Sequence, residues 1–141
     1  MPVKQITVNL ENLPGKLSEL TSYLGENGIN MIAVSVADLA DTSAVRFVAN
    51  DPEKAVNVLQ SHGYSAKVTD VLALEVPNHP GKLNAVLKPL KEKNINVSDL
   101  YACLERGEKT VLILRADKME EAVRVLKEHW IRIVDEKIYV L

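Results

Sequence analysis

The sequence predicts an α+β fold of two ferredoxin-like βαββαβ units, each with an antiparallel sheet and both helices on one face. The first observation is a repeat: residues 12–17 (NLPGKL) return as residues 78–83 (NHPGKL), an offset of 66 positions (81 − 15). The second is that each copy follows a run of alternating apolar residues and precedes an amphipathic segment. The third is that the same order of strand and helix patterns follows both copies. Two domains are therefore predicted, residues 1–69 and residues 70–141.

The first domain begins with a strand over residues 4–10, where apolar and polar residues alternate as in a half-buried strand. After the turn, leucines recur at helical spacing, and Gly28 suits the left-handed end of that helix. Two strands joined by a polar hairpin at residues 38–43 come next. Asp51 is placed to cap a second helix, with a proline at its first position. A short strand over residues 64–69 completes the unit.

The second domain repeats this order, starting with a strand over residues 71–76. The helix that follows is expected to bury Leu83 and to end at Asn94, in the place that Gly28 has in the first domain. Pro89 lies inside this helix and is expected to kink it or to cost about 3 kcal/mol. A strand over residues 97–104, a turn at residues 106–107 and a strand over residues 110–115 are expected next. A helix over residues 119–126 and two terminal strand segments, over residues 131–134 and 138–141, complete the domain.

The composition excludes several classes of function. The 17 basic and 19 acidic residues give a net charge of −2 without a basic patch, and aromatic residues make up only 4%, which argues against a nucleic-acid partner. Cys103 is the single cysteine, so an internal disulfide and a cysteine-based metal site are excluded. No signal peptide and no membrane-spanning apolar run is evident, which predicts a cytoplasmic protein without a membrane partner.

The sequence contains no recognisable catalytic constellation. No Ser-His-Asp, Cys-His or metal-binding cluster occurs at a workable spacing, so no catalytic residue, metal ligand or cofactor is predicted. An enzyme on a ferredoxin-like scaffold is therefore the least favoured reading. RNA binding on the same topology would need exposed aromatic residues on the central strands, which the sequence lacks.

The two hexapeptides carry a resemblance to a known family. Together with the segments Gly28-Ile29-Asn30 and Asn94-Ile95-Asn96, they resemble tandem ACT-domain proteins, a class of small amino-acid-binding regulatory modules. The Pro-Gly turn alone is a weak signal. The turn, the following asparagine and the βαββαβ order, all present twice, are together specific and cover essentially the whole chain.

The resemblance implies a free amino acid ligand bound between two modules, where the turn of one faces the start of the second strand of the other. The implied ligand-binding residues are Asn12, Leu13 and Gly15 facing Asn96, and Asn78, His79 and Gly81 facing Asn30. The chemistry suits such a ligand. Backbone N–H groups at a helix start can hold its carboxylate, and asparagine carbonyls can accept from its ammonium group.

Less specific readings stand beside this one. Asn12 and Asn78 could simply shape their turns, because asparagine readily bonds its own backbone. Asn30 and Asn96 could be ordinary residues at helix ends. A histidine such as His79 is more often a solvated loop residue than a ligand contact. The paired asparagines tip the balance towards a ligand site.

Two functions remain in view after these exclusions. The favoured one is a ligand-sensing regulatory protein; the alternative is a regulatory small subunit that attaches to an amino-acid biosynthetic enzyme and conveys feedback inhibition. Residues 111–114 (VLIL) are apolar on both faces of their predicted strand, which predicts contact with another sheet or another subunit. A homodimer or larger assembly is expected on that ground.

Overall fold

The structure, a computed structural model, describes residues 2–77, 79–104 and 110–140, apart from the side chains of Glu136 and Val140. It confirms the predicted α+β class with two βαββαβ units. The compact units are Lys4–Thr69 and Asp70–Tyr139, and Pro2 and Val3 group with the second. We refer to them as the N-terminal and C-terminal units.

The N-terminal unit has the strand order β2-β3-β1-β4, which is the ferredoxin-like arrangement. Its strands and helices are β1 (Val3–Glu11), α1 (Lys16–Glu26), β2 (Met31–Asp38), β3 (Thr42–Ala49), α2 (Pro52–Ser61) and the first residues of β4 (Ala66–Val76). Asp51 caps α2 as predicted, because its side chain accepts the Lys54 N–H at 3.2 Å. Gly28 is left-handed, with φ 71°, just beyond α1.

The C-terminal unit has the strand order β7-β4-β6-β5, the same arrangement. After the last residues of β4, its elements are α3 (Lys82–Glu92), β5 (Val97–Ala102), β6 (Thr110–Ala116), α4 (Met119–Glu128), β7 (Arg132–Val134) and a 3₁₀ helix (Glu136–Val140). Asn94 is left-handed, with φ 57°, as predicted. The two predicted strands on either side of residue 70 form one continuous strand, β4.

Each unit has its own apolar core between its helices and one face of its sheet. In the N-terminal unit this face is formed by the alternating side chains of β1 and β3, and the helices contribute Leu20, Leu24 and Leu59. In the C-terminal unit the equivalent helix residues are Val86, Leu90 and Leu126. The alternation in the sequence therefore identifies the core faces correctly.

The expectation that α3 buries Leu83 is wrong. Leu83 is 42% exposed, and Leu17, its equivalent in the N-terminal unit, is 38% exposed. Side chains in a helix point towards its N-terminus, so a leucine in the first turn extends past the sheet instead of lying over it. The buried positions of α3 are Val86, Pro89 and Leu90, and the helix continues through Pro89 to Glu92.

The predicted strand over residues 138–141 is also wrong for the described residues, which form the 3₁₀ helix. Asp135 explains the turn: its side chain accepts the Lys137 N–H at 3.2 Å, and its carbonyl accepts the Ile138 N–H at 3.1 Å. Ile138 is fully buried in this conformation. The predicted turn at Arg106 and Gly107 lies outside the described residues, as does Leu141.

The apolar strand β6 does not leave an exposed face. All four side chains of residues 111–114 are at most 7% exposed in the single chain. A second subunit was expected because it would cover an exposed apolar face of this strand, and no such face is exposed. The homodimer therefore stays a prediction without that support.

Candidate ligand-binding turns

Both Pro-Gly turns have the same backbone geometry. Gly15 and Gly81 stand immediately before α1 and α3 with φ 86° and 84°, in the left-handed region that favours glycine. A Cβ atom built on either glycine would have no atom within 4 Å apart from those of its chain neighbours. The space in front of each helix start is therefore open, and another molecule can approach the backbone there.

Each turn also presents hydrogen-bond donors. In the first turn the Leu13 N–H donates to the Glu11 carbonyl at 2.9 Å, and the Lys16 N–H donates to the Leu13 carbonyl at 3.4 Å. Within the described part of the chain, the N–H groups of Gly15, Leu17 and Ser18 have no backbone acceptor. Free N–H groups and the positive end of the helix dipole together favour an anionic group at this position.

Asn12 is held by the β2–β3 hairpin. Its Nδ2 donates to Asp38 Oδ1 at 3.0 Å and to the Ala40 carbonyl at 2.9 Å, while its Oδ1 accepts from Ser43 Oγ at 3.2 Å. Both ends of the amide are thus engaged by the hairpin, and neither of these bonds is to the backbone of its own turn. The sequence did not identify Asp38 as the partner that orients it. The equivalent residue, Asn78, lies outside the described residues.

Leu13 and His79 occupy the same position in the two turns and are both exposed. His79 Nδ1 lies 2.8 Å from the carbonyl oxygen of Pro80. Because a carbonyl can only accept, Nδ1 is the donor in this bond, and Nε2 is the ring nitrogen left for another partner. The second turn therefore offers a polar contact where the first offers an apolar one. Lys82, next to Gly81, donates from Nζ to Thr110 Oγ1 at 3.0 Å.

Asn30 and Asn96 are fixed by their main chains and not by their side chains. Asn30 N–H donates to Asn50 Oδ1 at 2.9 Å, and its carbonyl accepts the Asn50 N–H at 3.0 Å. Asn96 makes the same two bonds with Asp117, both at 3.0 Å. The exposed side-chain amides have no partner among the described residues. Asn50 and Asp117 escaped notice in the sequence, although they match at the offset of 67 that relates the second helices of the two halves.

Strand register shows that one unit cannot bring its own turn and its own asparagine together. The end of β1 pairs with the start of β3, at Glu11 and Thr42, whereas the start of β2 pairs with the end of β3, at Met31 and Ala49. The eight residues of β3 span about 25 Å at roughly 3.3 Å per residue. Gly15 and Asn30 therefore lie at opposite ends of their sheet.

Other kinds of site find no support in the described ranges. Within residues 2–77, 79–104 and 110–140, no group of three or more His, Cys, Asp or Glu side chains could hold a metal ion. No helix in this part of the chain has the length and apolar character needed to cross a lipid bilayer.

Comparison with known proteins identifies relatives over the full length of the chain. A family profile described as an ACT domain pair matches residues 1–140. The structure of protein BT0572 from Bacteroides thetaiotaomicron is 30% identical, with a TM-score of 0.92 over 100% of this chain and 98% of that one. The sequence matches none of the curated proteins with which it was compared.

Two further solved structures share the fold at lower identity. The regulatory subunit of aspartate kinase from Thermus thermophilus, in its ligand-free form, has a TM-score of 0.69 at 15% identity, over 92% of this chain and 93% of that one. The regulatory subunit of aspartate kinase from Thermus flavus has a TM-score of 0.64 at 16% identity, over 92% of this chain and 94% of that one. At these identities the likeness is one of fold alone.

Proposed function

From the premise that this chain belongs to the ACT domain pair family, we propose that the protein is regulatory, binds a free amino acid and responds allosterically to that ligand. Membership of this family identifies the chain as a regulatory module. The identity of the ligand as an amino acid is our proposal.

The observation that carries the proposal is the pair of equivalent turns. Each combines a left-handed glycine, open space in front of it and free N–H groups at the start of an eleven-residue helix. Such a turn can bind a carboxylate, because a carboxylate accepts several N–H bonds and is attracted by the helix dipole. Every amino acid carries one.

Each site would take a turn from one half of the chain and an asparagine from the other half. The turn with Asn12, Leu13 and Gly15 would be completed by Asn96, and the turn with Asn78, His79 and Gly81 by Asn30. The separation of turn and asparagine within one unit supports this crossed arrangement. So do the free side-chain amides of both asparagines, whose carbonyls can accept from an ammonium group.

We further propose that the protein is not an enzyme and acts in the cytoplasm. No residue of the two turns forms a nucleophile–base pair in the described structure. The experiment that tests the function is a thermal-shift screen of the purified protein against the twenty amino acids, followed by calorimetry on those that raise the melting temperature. Saturable binding of one or a few amino acids is expected. Absence of binding at millimolar concentration would refute the sensor.

The second candidate is a regulatory subunit of a biosynthetic enzyme. It is favoured by the fold that this chain shares with two aspartate kinase regulatory subunits, over 92% of this chain and 93–94% of those subunits. Co-purification with an enzyme whose activity responds to an amino acid only when this chain is present would establish it. A purified chain that forms a closed homodimer and binds its ligand alone would favour the first candidate.

A further inference from the structure

The two units contain equivalent histidines in the same local structure. His62 follows α2 and His129 follows α4. The Nδ1 atom of each donates to the carbonyl one turn back, at 2.9 Å, on Val58 and Val125 respectively. This bond holds both rings against the last turn of their helices, so one ring can serve as a reference for the other.

In the N-terminal unit an aromatic ring of the chain covers this histidine. Tyr23, on α1, stacks on His62 with ring centroids 3.9 Å apart and planes inclined by 23°. Its hydroxyl donates to Glu19 Oε1 at 3.3 Å, and the charge of Glu19 raises the pKa of the Tyr23 hydroxyl. Tyr64 packs edge-on against Tyr23 at 6.1 Å. The phenol ring is thus held on the histidine from two sides.

In the C-terminal unit the residues that would do the same are missing. Pro89 stands in the place of Tyr23 and Ala85 in the place of Glu19, both at the offset of 66, and Ile131 replaces Tyr64. No aromatic ring in the described part of the chain stacks on His129. A cavity of about 470 Å³ lies at this position instead, lined by His129, Pro89, Ala85 and Lys88 among others.

We propose that this cavity binds a small molecule with a planar aromatic ring, which stacks on His129 as Tyr23 stacks on His62. The volume of about 470 Å³ falls within the range of small-molecule sites, roughly 300–1,000 Å³. A cavity of about 150 Å³ already holds benzene, so this cavity has room for an aromatic ring together with its polar substituents. Lys88 makes no hydrogen bond or ion pair with a described residue and can meet a polar substituent of the ring.

This site is separate from the proposed amino-acid sites, because it lies within one unit and shares only Gly81 with them. The probe is p-cresol, which is the side chain of tyrosine and therefore the group that the N-terminal unit supplies itself. The control is 4-methylcyclohexanol, which has a similar size and the same substituents but no π-system. The chain has three histidines, so the ring protons of each can be followed separately by NMR.

The expected result is a saturable upfield shift of the His129 ring protons with p-cresol and no such shift with 4-methylcyclohexanol. The His62 ring protons should already be shifted upfield by Tyr23 and should not respond. Equal responses to both probes, or a response of His79 in place of His129, would overturn the proposal.

Two substitutions on one helix provide the matched test. Pro89→Tyr should place the chain's own ring on His129 and abolish p-cresol binding, whereas Lys91→Tyr, at an exposed position of α3 outside the cavity lining, should leave the binding unchanged within about twofold. Pro89→Phe carries the same ring without the hydroxyl and replaces Pro89→Tyr if that variant does not fold. Binding that survives in the folded Tyr or Phe variant places p-cresol elsewhere and refutes the proposal, whether or not the protein binds amino acids.

Discussion

Gly81 and Gly63 have the same φ of 84° and the same open surroundings, yet only Gly81 belongs to a candidate site. Valine at either position would adopt a left-handed conformation and cost about 1–2 kcal/mol or more, since a β-branched residue is poorly tolerated there. We expect Gly81→Val and Gly63→Val to lower the free energy of unfolding by similar amounts, measured in urea. Only Gly81→Val should abolish amino-acid binding at the second turn, measured by calorimetry.

Gly15→Val provides the complementary control, because it should remove the first site and spare the second. If Gly63→Val weakened ligand binding as much as Gly81→Val, the loss would reflect general destabilisation and not the turn.

Asn96 and Asn30 allow the crossed arrangement to be tested without a change in the backbone. The fold holds these residues by main-chain bonds to Asp117 and Asn50, so alanine at either position keeps those bonds. We expect Asn96→Ala to weaken the site of the Gly15 turn by roughly tenfold, the effect of one lost charge-assisted hydrogen bond of about 1.5 kcal/mol, with stability unchanged. Calorimetry that shows Asn96→Ala and Gly81→Val damaging the same site would contradict the crossed arrangement.

Trp130 is 93% exposed and has φ 61°, an unfavourable conformation for a bulky residue. Its equivalent in the N-terminal unit is Gly63, which adopts the same region without a Cβ atom. We expect Trp130→Gly to raise the free energy of unfolding by on the order of 0.5–1 kcal/mol, because relief of the left-handed strain exceeds the entropic cost of glycine. Urea denaturation measures it, and a destabilised variant would show that the indole makes contacts that outweigh the strain.

At the scale of secondary-structure elements, the two equivalent helices α2 and α4 differ in their N-caps. The Asp51 side chain caps α2, whereas Lys118, with nearly the same backbone angles, makes no capping bond for α4. We expect Lys118→Asp to stabilise the protein by about 0.5–1 kcal/mol, reduced by the loss of the bond from Lys118 Nζ to the Asn94 carbonyl at 3.1 Å.

The matched change is Asp51→Ala, which should destabilise by about 1 kcal/mol because it leaves the Lys54 N–H without its acceptor. Both values are read from the midpoint of chemical unfolding. A loss of stability in Lys118→Asp would show that the bond to Asn94 matters more than the cap.

At the scale of the whole molecule, ligand binding should appear as stabilisation, because the proposed sites exist only in the folded chain. An amino acid at about 100 times its dissociation constant should add roughly 2.7 kcal/mol for one site. In a chain of this size that raises the melting temperature by roughly 5–10 °C. Calorimetric scans at several ligand concentrations measure the shift, and a melting temperature independent of ligand would contradict the proposed function.

The sequence predicted correctly those parts of the fold that depend on interactions between residues close together along the chain. Asp51, Gly28 and Asn94 were assigned correctly, because caps and left-handed helix ends are determined by residues within one turn. Leu83 was misplaced, since helical spacing shows which side of a helix is apolar but not how far the sheet extends beneath it. The terminal 3₁₀ helix was missed because residues 131–134 and 138–141 are both mainly apolar, as strands are, and the turn at Asp135 is not evident from that pattern.

The candidate site shows the same division. Repetition of the Pro-Gly turn and of the following asparagine is visible in the sequence, and it was enough to identify the family and to select the candidate residues. The partners of those residues were not predicted, because the bonds of Asn12 to Asp38 and of Asn96 to Asp117 join residues more than twenty positions apart. The cavity beside His129 also arises in this way, because α3 and His129 lie far apart in the sequence.

By itself, the sequence determined that this protein is a pair of βαββαβ units with a glycine turn at the start of each first helix. Local physics suffices for that conclusion, because hydrophobic periodicity, proline and glycine act within a few residues of the chain. The tertiary structure alone decided which side chains are free to meet a ligand. A side chain is free only if no distant segment of the chain packs against it. The hairpin binds the side chain of Asn12 and Tyr23 covers His62, whereas the equivalent space beside His129 stays open.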